Sequence, residues 1–382
     1  MRWVGFSLLL GAFAGCDARG PGTAVEFSAE RGDWVAGFCG LDDDGIRGAS
    51  SAAPSHAAPD TILRLEDGRI ASVATSSGGM TAIYNDMSAR VVGLDDTGML
   101  VEFGRTGSGP GEFFSSPPVM IAVEHVSVSE ASFLVFDRVR FLEFDLAGHP
   151  LHSVRVPGLH PMSTVVLRST SEAHVVGIIE QNLRSPDRRL ELHRWVEGSL
   201  EPVGGIALTP LARVRGGSWG GGSFLPMPLW DVAGGCGILS DGSSAELVVL
   251  HLQSGEMRSL QLHGHPYSDR ELLGIQEARH EAFLASAREW NLPVSEVEFS
   301  EPTRWSGLRY DRDGSLWLWP SLKPDDVPMA LRIPLQSSAP DPHLVRDASL
   351  PAAFLPNGVP LSLASSHGEG WSDVVVRLGP AR

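Results

Sequence analysis

His280-Glu281-Ala282-Phe283-Leu284 begins like the HExxH helix of metalloproteases, in which two histidines one turn apart hold zinc. Leu284 stands where the second histidine would be, so the pattern fails. His263 and His265 flank Gly264. Two rings two residues apart on an extended segment share a face and make half of a metal site; two solvent-exposed loop histidines give the same spelling. Asp311-Arg312-Asp313-Gly314 opens like a calcium loop but lacks the glutamate at its twelfth position, and its apolar flanks suit a hairpin turn. The run GRTGSGPGEF, Gly104 to Phe113, has the glycine density of a phosphate cradle. A dinucleotide cradle needs a third glycine where Glu112 stands, a P-loop needs a closing GK[ST], and Pro117-Pro118 forbids a helix directly after. It reads as a structural turn in which Gly104, Gly107, Gly109 and Gly111 supply unusual backbone angles, Pro110 fixes one, and Phe113 anchors the turn in the core beside Glu112. There is no GxSxG elbow and no Ser/His/Asp or Cys/His arrangement, so no catalytic residue is assigned.

Two other features concern binding and covalent chemistry. Arg215 to Asp231, RGGSWGGGSFLPMPLWD, reads as a long glycine-rich loop holding Trp219, Phe224 and Trp230. Aromatics in such a loop contact a glycan, a peptide or a protein, or else cap the core. Residues 1–15, MRWVGFSLLLGAFAG, have one basic residue and an apolar run too short to span a bilayer. They end at Phe13-Ala14-Gly15-Cys16, which is spelled like a lipobox apart from Phe13 where leucine is usual. Cys16 is then the lipidated first residue of the mature chain; the alternative is an ordinary secretory signal cleaved near Ala14. Export leaves Cys39 and Cys236 in an oxidising compartment, either as a disulfide or as two separate buried thiols.

The elements that must position these groups are short strands. The chain of 382 residues holds 43 Gly and 27 Pro, with 42% hydrophobic and 20% charged residues, enough for a real core. Residues 16–59 read as an irregular tether. Beyond them the turn glycines 98, 148, 198 and 255 recur at intervals of 50, 50 and 57 residues, with strand-like runs between them. One four-stranded sheet per period, stacked radially so that each covers its neighbour, predicts an all-β, six-bladed β-propeller over 60–382, with a strand near Asp60 to Leu65 closing the last blade. Asp231 to Leu239 reads as a single strand. The interruption Ser268 to Asn291 is helical: Leu272, Ile275, Ala278, Ala282 and Ala285 recur at three-to-four spacing behind a Ser268/Glu271 capping box.

The turn GRTGSGPGEF, the later LVFDRVRFLEFD and the lipobox together resemble the six-bladed propeller domain of bacterial lipoproteins, which is related to NHL-repeat propellers. The resemblance implies fold and envelope location and carries no catalytic residues with it.

With 30 basic against 46 acidic side chains, the charge balance argues against nucleic acid or anionic lipid as main partner. The expected function is an envelope-anchored binding module for a protein, peptide or glycan, facing the periplasm or cell surface and touching the membrane only through its lipid. No cofactor is expected. The alternative is a metal-dependent hydrolase, lactonase or lyase with calcium or zinc on the axis, held by inward-pointing acids or histidines. A purely structural role in an envelope complex is a third reading.

Overall fold

The computed structural model describes residues 28–29, 33–41, 60–66, 70–76, 79–85, 88–95, 98–114, 126–156, 159, 163–171, 173–179, 188–209, 212–215, 228–289, 296–311, 314–323, 325–335, 342–346, 348, 350–351, 353–354, 360–367 and 371–377. It opens with β1 (Ser28–Ala29), helix α1 (Asp33–Cys39) and β2 (Asp60–Glu66). A first antiparallel meander follows, β3 (Ile70–Thr75), β4 (Thr81–Asn85), β5 (Arg90–Asp95) and β6 (Gly98–Phe103). The second is β7 (Val126–Val128), β8 (Ser132–Phe136), β9 (Phe141–Asp145) and β10 (Pro150–Val154). The third is β11 (Thr164–Ser169), β12 (His174–Ile179), β13 (Arg189–Val196) and β14 (Ser199–Ala207). After β15 (Ala212–Arg215) comes the fourth, β16 (Leu229–Ala233), β17 (Cys236–Ser240), β18 (Glu246–His251) and β19 (Met257–His263). Helix α2 (Asp269–Glu289) and β20 (Glu296–Phe299) are inserted before the fifth, β21 (Trp305–Tyr310), β22 (Ser315–Pro320), β23 (Met329–Pro334) and β24 (His343–Arg346). The last sheet is β25 (Ala353–Phe354), β26 (Pro360–His367) and β27 (Trp371–Arg377), with β2 paired along β27.

The first strands of the sheets form a ring. β3 lies against β7, β7 against β11, β11 against β16, β16 against β21, and β25 against β3. Antiparallel sheets set round a common centre by their first strands make a β-propeller.

Three expectations are corrected. Six four-stranded blades were expected; five sheets have that form, and the fourth meander carries a fifth strand, because β1 pairs with β19 outside it, Ser28 opposite His263. The stretch 16–59 is not wholly irregular, since it contains β1 and α1. Both are too short to show periodicity in the sequence, and they are held by contacts to the fourth sheet: Val35 and Cys39 enter its core, and Gly235 N–H donates to Cys39 O at 2.7 Å. Asp231 to Leu239 is a hairpin, not one strand. Gly234, at φ +53°, turns β16 into β17 so that Ala233 faces Cys236.

The core lies between the sheets, which explains why β8 is apolar at successive positions. Phe133 and Val135 pack with Ala82, Tyr84 and Val91 of the first meander, while Leu134 and Phe136 pack with Val165, Leu167 and Val176 of the third. Each such side chain contributes about 2 kcal/mol by leaving water. The predicted helix is present as α2. Ser268 N–H and Oγ–H donate to Glu271 Oε2 at 2.9 and 2.8 Å, and Gln276 is buried against Thr303, its Nε2 donating to Thr303 Oγ1 at 2.8 Å. A two-stranded ribbon of β15 and β20 stands beside it.

Candidate functional site

The hairpins formed by the inner strands close at matching points. Thr170 N–H donates to Ala173 O, Asp311 N–H to Ser315 O, and Ala233 faces Cys236. Two residues before each closure stand Arg168, Arg309 and Asp231, paired across to Val175, Trp317 and Ile238. The same position is Ser127 in β7 and Ala74 in β3, where Ser129 and Ser76 close their hairpins on Ser132 and Met80. One layer of the ring therefore presents Ala74, Ser127, Arg168, Asp231 and Arg309 in order.

Three of these are charged. Arg168 Nε lies 3.0 Å from Asp231 Oδ1, and the two side chains are 13% and 10% exposed. Val232 N–H donates to Oδ1 of the same aspartate at 2.9 Å, and Tyr310 N–H, from the next sheet, donates to Oδ2 at 2.9 Å. Each guanidinium is oriented by its own strand: Arg168 Nη1 donates to Leu167 O at 3.0 Å, and Arg309 Nη1 to Leu308 O at 3.1 Å. Trp230 lies under Arg168, with the guanidinium carbon 5.5 Å from the ring centroid. Burial pushes the Arg168 pKa down to about 9, the nearby Arg309 charge adds to the fall, and Asp231 opposes it. Burial also lowers Arg309, again against Asp231. Two arginines and one carboxylate thus share a poorly solvated place.

Beside this cluster lies a sealed polar network between the second and third meanders. His174, 2% exposed, has Nδ1 2.7 Å from Ser127 Oγ and Nε2 2.9 Å from Ser132 Oγ. Glu143 accepts from Ser132 Oγ (2.9 Å) and Trp195 Nε1 (2.7 Å), and lies 2.8 Å from His152 Nδ1. Serine, histidine and glutamate thus meet, but the acid bonds the serine and not the imidazole. A hydrolytic relay needs the opposite order. The network ties two blades together.

The residues singled out in the sequence are dispersed. Cys39 and Cys236 are joined in a disulfide with Cα atoms 5.2 Å apart. In the glycine-rich turn, Glu112 Oε2 accepts from Gly109 N–H at 2.7 Å and Oε1 from Arg105 Nε at 2.8 Å; these bonds hold the Glu112 carboxyl below its ordinary pKa. Arg140 donates to Ser108 O and Glu112 O from outside, so the turn's polar groups serve the turn. Phe113 is fully buried against Tyr84 and Phe144. Gly107 and Gly111 complete the loop around Pro110, with Gly107 N–H donating to Phe113 O. His265 Nε2 lies 2.8 Å from Arg304 O and Nδ1 3.2 Å from Tyr267 N, so its ring serves the backbone, while His263 is exposed beside Ser28. Burial lowers the His265 pKa. Asp311 accepts from Ser315 N–H and Trp317 Nε1, in a hairpin turn. Among the described residues no three His, Cys, Asp or Glu side chains gather as a metal site. Trp230 is buried at 2% exposure in β16, and Cys16, Trp219 and Phe224 lie outside the described residues.

Arg168, Asp231 and Arg309 escaped the sequence reading. The available signal was a single charge inside an apolar first strand, in TVVLRS, LWDVA and WSGLRY.

No protein-family model and no curated protein matches the chain. Solved structures align over much of this chain at low identity. Regucalcin, a calcium-binding protein of Agrobacterium tumefaciens str. C58, aligns at TM-score 0.39 and 11% identity over 85% of this chain and 96% of that one. Streptogramin B lyase aligns at TM-score 0.36 and 9% identity over 82% and 97%. The PQQ-bound aldose sugar dehydrogenase of Streptomyces coelicolor aligns at TM-score 0.38 and 12% identity over 85% and 99%. Sheet order and the ring of inner strands make this chain an all-β propeller.

Proposed function

We propose that the chain is a binding propeller of a bacterial envelope, lipid-anchored through Cys16, of the kind found in lipoproteins and related to NHL-repeat propellers. The observation that carries the binding reading is the delivery of Arg168, Asp231 and Arg309 to one layer by three successive inner strands. Charged side chains placed where a core favours apolar ones are retained at a cost of several kcal/mol, which recognition of a ligand explains. Arginine side chains are not metal ligands, so this layer favours binding over metal-assisted hydrolysis. The Cys39–Cys236 bond supports an oxidising, extracytoplasmic setting. Trp219 and Phe224, in the segment leading into β16, are proposed as aromatic contacts for a protein, peptide or glycan.

Two measurements test this reading. Purified full chain should contain far less than one equivalent of calcium or zinc by mass spectrometry; a stoichiometric metal would favour the hydrolase or lyase. Cells fed a labelled fatty acid should incorporate it into the wild-type chain and not into Cys16→Ala; label retained in the variant would refute the anchor.

A further inference from the structure

We propose that the seam between the second and third meanders is an acid-released latch: His174 holds the two sheets together while its ring is neutral, and the sheets part there when the ring takes up a proton. The inference stands apart from the binding reading above and does not depend on it.

The directions of the hydrogen bonds carry it. Ser132 Oγ–H donates to Glu143 Oε1 at 2.9 Å, so toward His174 the same oxygen is an acceptor. The ring then carries its hydrogen on Nε2, 2.9 Å away, and Nδ1 is left bare. Bare Nδ1 accepts from Ser127 Oγ–H at 2.7 Å. A chain of donors therefore runs one way, from Ser127 on β7, through the ring carried by β12, to Glu143 on β9. A second proton on the ring reverses the first link. Ser127, fully buried, would have to turn its hydrogen away with water shut out, and a charge would sit inside the seam. Glu143 favours that charge, but it acts through Ser132, and burial outweighs it.

The strand register adds a second histidine. His174 lies opposite Trp195, Val176 opposite His193 and Ile178 opposite Glu191. Val176 and Ile178 pack with Leu134 and Phe136 of the second meander, so His193 and Glu191 face the same seam from β13. Burial lowers the His193 pKa against Glu191, and its Nδ1 is buried with no hydrogen-bond partner among the described residues. From β10, His152 reaches the seam through Glu143, and Glu130, in the turn between β7 and β8, is exposed. On β11 the residue opposite His174 is Ser169, whose hydroxyl donates to Val128 O at 2.7 Å and does not titrate. Both seam histidines therefore resist a proton while the sheets are shut and accept it once water enters. The remaining side-chain tie, Trp195 Nε1 to Glu143, ends on a carboxylate that loses its charge at lower pH still.

The test is hydrogen–deuterium exchange of the full chain in non-ionic detergent, read by mass spectrometry from pH 7 to 4 and corrected for the intrinsic effect of pH on exchange. Peptides covering β7–β8 and β11–β12 should lose protection by on the order of a hundred-fold, beginning at about pH 6.5 with a slope of about one decade per pH unit. Peptides covering β4 and β5, in a meander that contains no histidine, should stay protected over the same range. His174→Gln, which keeps a donor for Ser132, should remove most of the loss. Equal loss in both sheets would mean that the whole molecule loosens rather than one seam, and overturns the latch. A loss confined to the range below pH 5, where carboxylates titrate, overturns it too, as does a loss that His174→Gln leaves unchanged. Where that variant does not fold, the onset pH and the contrast between the two sheets in wild type decide.

Discussion

A histidine enclosed by two serines holds its shape only while it is neutral. Burial brings the His174 pKa down to about 4, with Glu143 as the charge opposing that fall. The unfolded chain titrates near 6.5. Above that pH neither state binds the proton and the stability is whole. Between about 6.5 and 4 only the unfolded state takes it, so stability falls by on the order of 3 kcal/mol and levels off below. Glu143 acts in the same direction at lower pH: burial raises its pKa, but bonds from Trp195, His152 and Ser132 bring it below the usual carboxylate value. Urea midpoints measured from pH 7 to 4 should therefore drop steeply in wild type and more shallowly in His174→Asn; parallel curves would dissociate the drop from this ring. The cysteine pair was open to the sequence because, with Cys16 read as the lipidated residue, only Cys39 and Cys236 remain among the three cysteines. The inner-strand arginines were not. Arg168 and Arg309 follow the same leucine-arginine spelling, but alternation along a strand does not say which strand of a blade is innermost.

At the scale of elements, the hairpin glycines show why the repeat was readable. Gly148, Gly198 and Gly255 take φ of +82°, +80° and +72°, each between the third and fourth strands of its sheet. Glycine adopts this region without strain, so the same punctuation recurs. The fifth sheet has no glycine between β23 and β24, and β24 went unread; β16 and β17 merged because Gly234-Gly235 sits within an apolar run. Gly104 has both kinds of constraint. Its φ is +92°, and a Cβ there would come within 2.1 Å of the buried Phe113 ring. Gly104→Ala should destabilise by about 2 kcal/mol or more, since strain and overpacking add. Gly37, exposed in α1 with open space where a methyl group would sit, is the control: Gly37→Ala should stabilise by about 0.5 to 1 kcal/mol. Chemical denaturation of both variants checks the contrast, and equal effects would contradict it.

The whole molecule is closed twice. β2 completes the last sheet along β27, joining the two ends of the meander series. The Cys39–Cys236 bond closes a loop of 197 residues in sequence and fastens α1 to the fourth sheet. Chain-entropy arguments put such a loop at about 5 kcal/mol, so Cys39→Ser with Cys236→Ser should lower the unfolding free energy by up to that amount, and reductant should do the same to wild type and nothing to the variant. Arg258, with its guanidinium carbon 4.3 Å from the Phe38 ring centroid, keeps part of the contact when the sulfurs are gone. These two closures stand in a particular order along the chain. With the anchor proposed at Cys16, tension drawn through it would meet the described body first at β1 and Cys39, and would pass sideways into the fourth sheet. The clasp formed by β2 lies beyond that rivet in the chain and would stay slack. A tether hung from β2 itself would peel the clasp pair by pair; a load applied ahead of Cys39 would reach it only after the disulfide had been reduced.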